Sequence, residues 1–142
     1  MSYVPTRAAA AYGRAAQTTP AARQVVMLYD GAIGRLREAR QAILEGRIED
    51  RFRAIQKASG IIDGLHACLD FERGGDIALL LDRMYGYISL RLQQINIRQD
   101  PAICDELVAH LDELRRAWNT LAEGAALSPT GPISPTGAGA AA

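Results

Sequence analysis

Between residues 19 and about 124 the hydrophobic positions recur every three or four residues, the spacing of an amphipathic α-helix. Four such runs follow one another. The first is opened by Thr19-Pro20, with Thr19 as N-cap and Pro20 at the first helical position. Val25, Leu28, Tyr29, Ala32, Leu36, Ala39 and Ile43 then mark its apolar face, and Gly46 ends it. The second covers about 49 to 70, with Asp50 offered as a cap because Arg47 is a weak one. It carries two adjacent stripes, one through Phe52, Ile55, Ser59, Ile62 and Leu69 and one through Ala54, Ala58, Ile61 and Leu65. Two stripes are wider than a single helix seam requires.

Gly74-Gly75 is expected to separate the second run from the third, which covers about 76 to 97. Ile77, Leu81, Met84, Ile88, Leu92 and Ile95 form its main stripe, flanked by Leu80 and Tyr87. The fourth starts at Asp100-Pro101, continues through Cys104, Leu107, Leu111, Leu114, Trp118 and Leu121, and closes at Gly124. Four helices with short connections predict an all-α, antiparallel up-down-up-down four-helix bundle. No segment reads as a strand. Outside the bundle, residues 1–18 form an Ala-rich N-terminal arm with isolated anchors Tyr3, Val4 and Tyr12. Residues 125–142 form a Gly/Pro/Ser/Ala tail that repeats Ser-Pro-Thr-Gly and is expected to be disordered.

Composition narrows the classes. The chain has 142 residues, 49% of them hydrophobic but only 6% aromatic, so its core must be built from Leu, Ile, Val and Ala. No run approaches the roughly 20 apolar residues of a membrane span. A net charge of zero argues against nucleic acid as a partner. The N-terminus lacks an apolar segment of the kind a secretory signal carries, and the expectation is a cytoplasmic protein.

The candidate chemistry is thin. His66 and Cys68 are roughly 200° apart on a helix, and Cys104 and His110 roughly 240°, so neither pair faces one ligand. Glu106 and His110 share a face, but the spacing is not that of a di-iron bundle and there is no second copy. Gly74-Gly75 precedes a helix without the Lys-Ser/Thr of a phosphate loop, and no Ser, His and Asp set suggests a nucleophile. What remains is an apolar surplus on the second run, together with Gly60 and Gly64, each costing roughly 1 kcal/mol of helix stability against Ala. Tight packing within the bundle accounts for these glycines. So does a shallow groove that receives a helix from a partner.

Two blocks carry a resemblance. One is Thr19-Pro20 followed by Val25 through Ile33, reading VVMLYDGAI. The other is Leu69 through Ala78, reading LDFERGGDIA, which runs on through Tyr85-Gly86-Tyr87 and Arg91-Leu92 to Asn96 and Asp100. Together with the position of Trp118, they resemble the flagellin-specific flagellar export chaperone family, FliS, in register from about residue 12 to 121. The resemblance implies a four-helix bundle, no catalysis and no cofactor. It implies a chaperone that takes up the disordered C-terminal segment of flagellin in apolar grooves, prevents its premature polymerisation and helps deliver it to the flagellar export gate. Tyr12 matches an N-terminal Tyr that packs over part of the client site, so it is expected to act as a removable plug, with Ala9 in place of the usual larger apolar residue three positions before it. The chain departs from the family pattern at Leu80 (often Asn), Gly86 (often Asp) and Phe71 (usually Tyr).

Combining both lines, the expected client-binding residues are Tyr12, Ala58, Ile61, Leu65, Leu80 and Tyr87, on the second stripe of the second helix beside the third. The competing expectation is a regulatory helical protein acting mainly on an anti-sigma factor or co-chaperone. The free chain is expected to be a monomer or a weak homodimer.

Overall fold

A computed structural model describes residues 19–127, with side chains placed for residues 23–120. Tyr12, the rest of the N-terminal arm and the tail beyond 127 lie outside the described residues. Four helices and no strand are found among those described: α1 (Thr19–Leu44), α2 (Ile48–Ala67), α3 (Phe71–Arg98) and α4 (Pro101–Leu127).

The helix ends follow local chemistry. Gly46 stops α1 at φ 72°, in the left-handed region that favours glycine. There the N–H of Arg47 reaches the carbonyl of Ala42 (2.8 Å) and that of Gly46 reaches Ile43 (3.2 Å), closing two carbonyls that the helix leaves open. Helix α2 begins at Ile48 without a side-chain cap. Arg47 instead bridges Glu45 (2.8 Å) and Asp50 (2.6 Å) across the turn. At the head of α4, Asp100 accepts from the N–H of Ala102 (2.9 Å) just before Pro101 has set the first helical φ. Helix α4 passes Gly124 and ends three residues later, through an Ala-rich stretch of high helix propensity.

The break before α3 differs from expectation. Asp70, not the glycine pair, starts the helix: its carboxylate accepts from the N–H groups of Glu72 and Arg73, both at 3.0 Å. One turn forms from Phe71, and the chain then bends at Gly75 (φ 52°, ψ −127°). The glycines are therefore a kink inside α3, and the connection proper lies at 68–70.

Ion pairs and hydrogen bonds between helices fix their directions. Arg40 pairs with Asp105 (2.9 Å) and Asp30 with Arg115 (2.6 Å), so α1 and α4 run antiparallel. Arg51 donates to Asn96 (3.2 Å) and His66 meets Asp82 (2.6 Å), which does the same for α2 and α3. Each helix packs on the two beside it, and α1 approaches its neighbours more closely than α3 does. Small buried residues permit this: Ala32, Ala39 and Ala42 on α1 and Ala54 and Ala58 on α2.

The core is aliphatic, as composition requires. Leu36, Ile55, Ile62, Leu65, Leu81, Ile88, Leu92, Ile95 and Leu107 are fully enclosed, each contributing about 1.5–3 kcal/mol. At its centre is a polar contact between two buried tyrosines, the hydroxyls of Tyr29 and Tyr85 lying 2.5 Å apart. Burial, and then the Tyr85 phenol beside it, hold the Tyr29 hydroxyl well above its ordinary pKa, while the nearby Trp118 side chain acts in the opposite sense. The Tyr29 phenol therefore stays neutral and serves as a hydrogen-bonding group.

Removing one partner of a buried hydrogen bond costs more than removing both. Tyr85→Phe is expected to lower stability by about 1–2 kcal/mol, and the double change Tyr29→Phe with Tyr85→Phe by less than the sum of the single changes. Urea unfolding followed by Trp118 fluorescence measures this; strict additivity would show that the contact contributes nothing.

Candidate functional site

The titratable groups do not assemble into a reaction centre among the described residues, where no three of His, Cys, Asp and Glu gather. Cys104 is buried, and burial, reinforced by Asp105, pushes its thiol up to about 11, far from the thiolate a nucleophile needs. The interest lies in where apolar surface remains.

Helix α2 buries part of each of its two stripes. Ala54, Ala58, Ile55, Ile62 and Leu65 all lie in the core, so Ala58 and Leu65 present no surface in this structure. Ile61 is half-buried at the rim, on the side facing α1: a methyl added to Gly31 would lie 3.3 Å from its Cδ1. His66, bonded to Asp82 of α3, is roughly 140° further round α2. The expectation that Ile61 lies beside the third helix is therefore corrected; it sits on the α1/α2 edge. Leu28, one turn before Gly31 on the same face of α1, is 41% exposed rather than core, and Met27 beside it is 69% exposed. Gly60 and Gly64 are open, with nothing within 4 Å of an added Cβ. Tight packing within the bundle does not account for them, because no neighbouring helix approaches.

Leu80 and Tyr87 lie on a different edge, between α3 and α4. Leu80 is half-buried, and Tyr87, two turns on, is 46% exposed. The Tyr87 hydroxyl donates to Glu106 (2.5 Å), and its ring meets His110 edge-on at 6.2 Å. Beside it is a cavity of about 220 Å³ lined by Arg83, Met84, Tyr87, Ile88 and His110. Arg91 clamps Glu106 from the other side at 2.6 Å. That guanidinium, and then the Tyr87 hydroxyl, hold the Glu106 carboxyl below its ordinary range. Thus the residues expected to form one client surface occupy two edges, with Ala58 and Leu65 enclosed and Tyr12 outside the described residues.

Pattern reading missed the exposed apolar residues Leu79, Leu90 and Ile97 on α3 and took Phe52 on α2 for a stripe residue, although it is 52% exposed. The signal was present for α3, since spacings of eleven and seven return a side chain to the same helical face.

These features place the chain in the class of four-helix bundles that present apolar helix edges to solvent. None of the described helices is long and apolar enough to cross a membrane. The sequence matches the family described as flagellar protein FliS over residues 6–125, and the chain belongs to that family. It is 40% identical over 97 residues to flagellar secretion chaperone FliSB of Pseudomonas aeruginosa, covering 68% of this chain and 77% of that protein. It is 39% identical over 98 residues to flagellar secretion chaperone FliS of Salmonella typhimurium, covering 68% and 73%. To the protein of that name from Vibrio cholerae it is 36% identical over 97 residues, covering 68% and 71%.

The Glu106 clamp has a pH signature. A carboxyl whose pKa is lowered in the fold stabilises the protein at neutral pH, and that stabilisation disappears as pH falls through the folded-state value. Glu106→Gln is therefore expected to lower the urea midpoint at pH 7 and to lower it less at pH 3. An equal loss at both pH values would show that the ionised clamp contributes nothing.

Proposed function

We propose that this chain is a flagellar secretion chaperone that holds the C-terminal segment of flagellin against its two apolar edges, keeps it from polymerising in the cytoplasm and assists its delivery to the export gate. The observation that carries this reading is membership of the FliS family, whose curated relatives are named flagellar secretion chaperones. The distribution of apolar surface supports a client that wraps. One edge offers Leu28 and Ile61, with Gly60 and Gly64 on the adjoining outer face of α2 leaving room for a backbone to approach. The other offers Leu80, Tyr87 and a cavity sized for one apolar side chain. A single straight helix cannot cover both edges; a segment that bends round the bundle can.

The energetics suit reversible capture. Each buried aliphatic anchor of the client contributes about 1.5–3 kcal/mol. Ordering its backbone costs about 1–2 kcal/mol per residue. The two terms oppose each other, so that only a surplus over the ordering cost appears as affinity, which suits a complex that masks the segment and can release it. Tyr12 enters as a displaceable cover: its arm joins α1 at the end that carries Met27 and Leu28.

The test is isothermal titration of the full chain with a peptide from the flagellin C-terminus, expected to give a 1:1 isotherm. Ile61→Asp and Tyr87→Ala are each expected to weaken binding by about ten- to a hundredfold while circular dichroism stays helical. Leu65→Asp, in the core, is expected to unfold the bundle. No heat with the unaltered chain would overturn the proposal, and unchanged affinity in both surface variants would overturn the assignment of the edges.

A further inference from the structure

The cavity beside Tyr87 carries a chemistry that the masking of apolar surface leaves unused. Most of its wall comes from α3 in two pairs at helical spacing: Arg83 with Tyr87, and Met84 with Ile88. Side chains four residues apart stand one above the other on a helix, so each pair lines one side of the hole. His110 of α4 closes it, its ring edge-on to that of Tyr87. Met84, Ile88 and the Tyr87 ring make the interior apolar, and a volume of about 220 Å³ takes one aliphatic side chain.

Two of the wall residues are basic, and neither has found an acceptor. Arg83 is exposed and forms no hydrogen bond or ion pair with any described residue, and the His110 ring nitrogens form no hydrogen bond with any of them. The other charged groups nearby are engaged. Glu106 accepts from the Tyr87 hydroxyl and from Arg91, which also donates to Gln94. Asp112 pairs with Arg116, and Glu113 does not line the cavity. An apolar hole therefore opens between a guanidinium and an imidazole that both retain free donors.

The place of the cavity along the α3/α4 edge adds a constraint. A chain resting on this edge from the Leu80 side reaches the cavity about two turns later. Immediately beyond, Tyr87 and Arg91 both reach across to Glu106 and bridge α3 to α4. The path is closed there. A side chain filling the cavity holds its own Cα at the rim, level with Arg83 and His110. An internal Asp or Glu one helical turn away would bring its carboxylate in about 5–6 Å further along. Only the last residue of a chain carries an aliphatic side chain and a carboxylate on the same Cα.

We infer that the cavity between Tyr87 and His110 seats the last residue of the client, whose aliphatic side chain fills it while Arg83 and His110 hold the terminal carboxylate. This rests on the flagellin reading and adds to it an end point and a direction: the segment comes along α3 from Leu80 and ends at Tyr87. Arg83 presents paired donors that match both oxygens of a carboxylate. His110 has at least one N–H to donate in either protonation state.

Isothermal titration of the full chain tests this with one peptide that ends at flagellin's own last residue, made both as the free acid and as the C-terminal amide. The amide is expected to bind about five- to tenfold more weakly, the scale of a charge-assisted contact at a partly solvated site. Arg83→Gln is expected to weaken the acid by a similar factor and to leave the amide nearly unchanged, with circular dichroism unaltered. Equal affinity of acid and amide for the unaltered chain would overturn the inference and leave the flagellin reading standing. So would an equal loss for both forms on Arg83→Gln, which would give the arginine an internal partner instead. Absence of heat with either form would remove the flagellin reading and this inference together.

Discussion

The bundle depends on one polar contact in an otherwise aliphatic core. Helices α1 and α3 stand across the bundle from each other and do not pack directly. The Tyr29–Tyr85 hydrogen bond spans that diagonal. Trp118 of α4 lies beside Tyr29, and the ring of His66 on α2 lies 5.7 Å from Tyr85, so the cluster involves all four helices. Aliphatic packing is non-directional and tolerates sliding by a turn. A hydroxyl pair buried without water does not, because any slip leaves a polar group unsatisfied at about 1–3 kcal/mol. The cluster thereby sets the depth and axial register at which the helices lock.

That constraint also explains why the two sides of the bundle differ. Alanines draw α1 close to its neighbours. Helix α3 buries larger residues, among them Leu81, Tyr85, Ile88 and Leu92, and its borders carry polar contacts: Asn96 with Arg51, Asp82 with His66, and Arg91 with Glu106. The grooves beside α3 are consequently wider, and the α3/α4 edge contains a side-chain-sized cavity next to Tyr87.

How far the sequence revealed this depended on the kind of information needed. The four helices were legible, because a three-four period sustained over five or six turns leaves little alternative. The Gly46 stop and the Asp100-Pro101 start were legible because each has a local cause. The start of α3 was misread because two glycines outweigh one aspartate by propensity, whereas the Asp70 carboxylate satisfies two amide groups and glycine satisfies none. The site was least legible. Ala58, Ile61 and Leu65 occupy one stripe by spacing, yet Ile61 emerges at the rim while the other two are enclosed, because the close approach of α1 decides where the core ends. That approach is a tertiary property that no single helix pattern contains.

The scattering of apolar surface follows from the same geometry and has a functional logic. One contiguous patch holding Leu28, Ile61, Leu80, Tyr87, Leu90 and Ile97 would exceed what a free soluble chain exposes without aggregating. Distributed over separate edges and faces, each group is bordered by charge: Lys57 and Arg35 near Ile61, Arg91 and Glu106 at Tyr87, Arg83 and Arg98 along the outer face of α3. No one group suffices to hold a partner tightly. Only a ligand that engages several at once gains enough buried area to offset its own ordering, and that favours a long flexible segment over any short apolar peptide. On the reading proposed above, selectivity for such a client would come from the spacing of weak sites around the bundle, a spacing that the Tyr29–Tyr85 bond at its centre helps to fix.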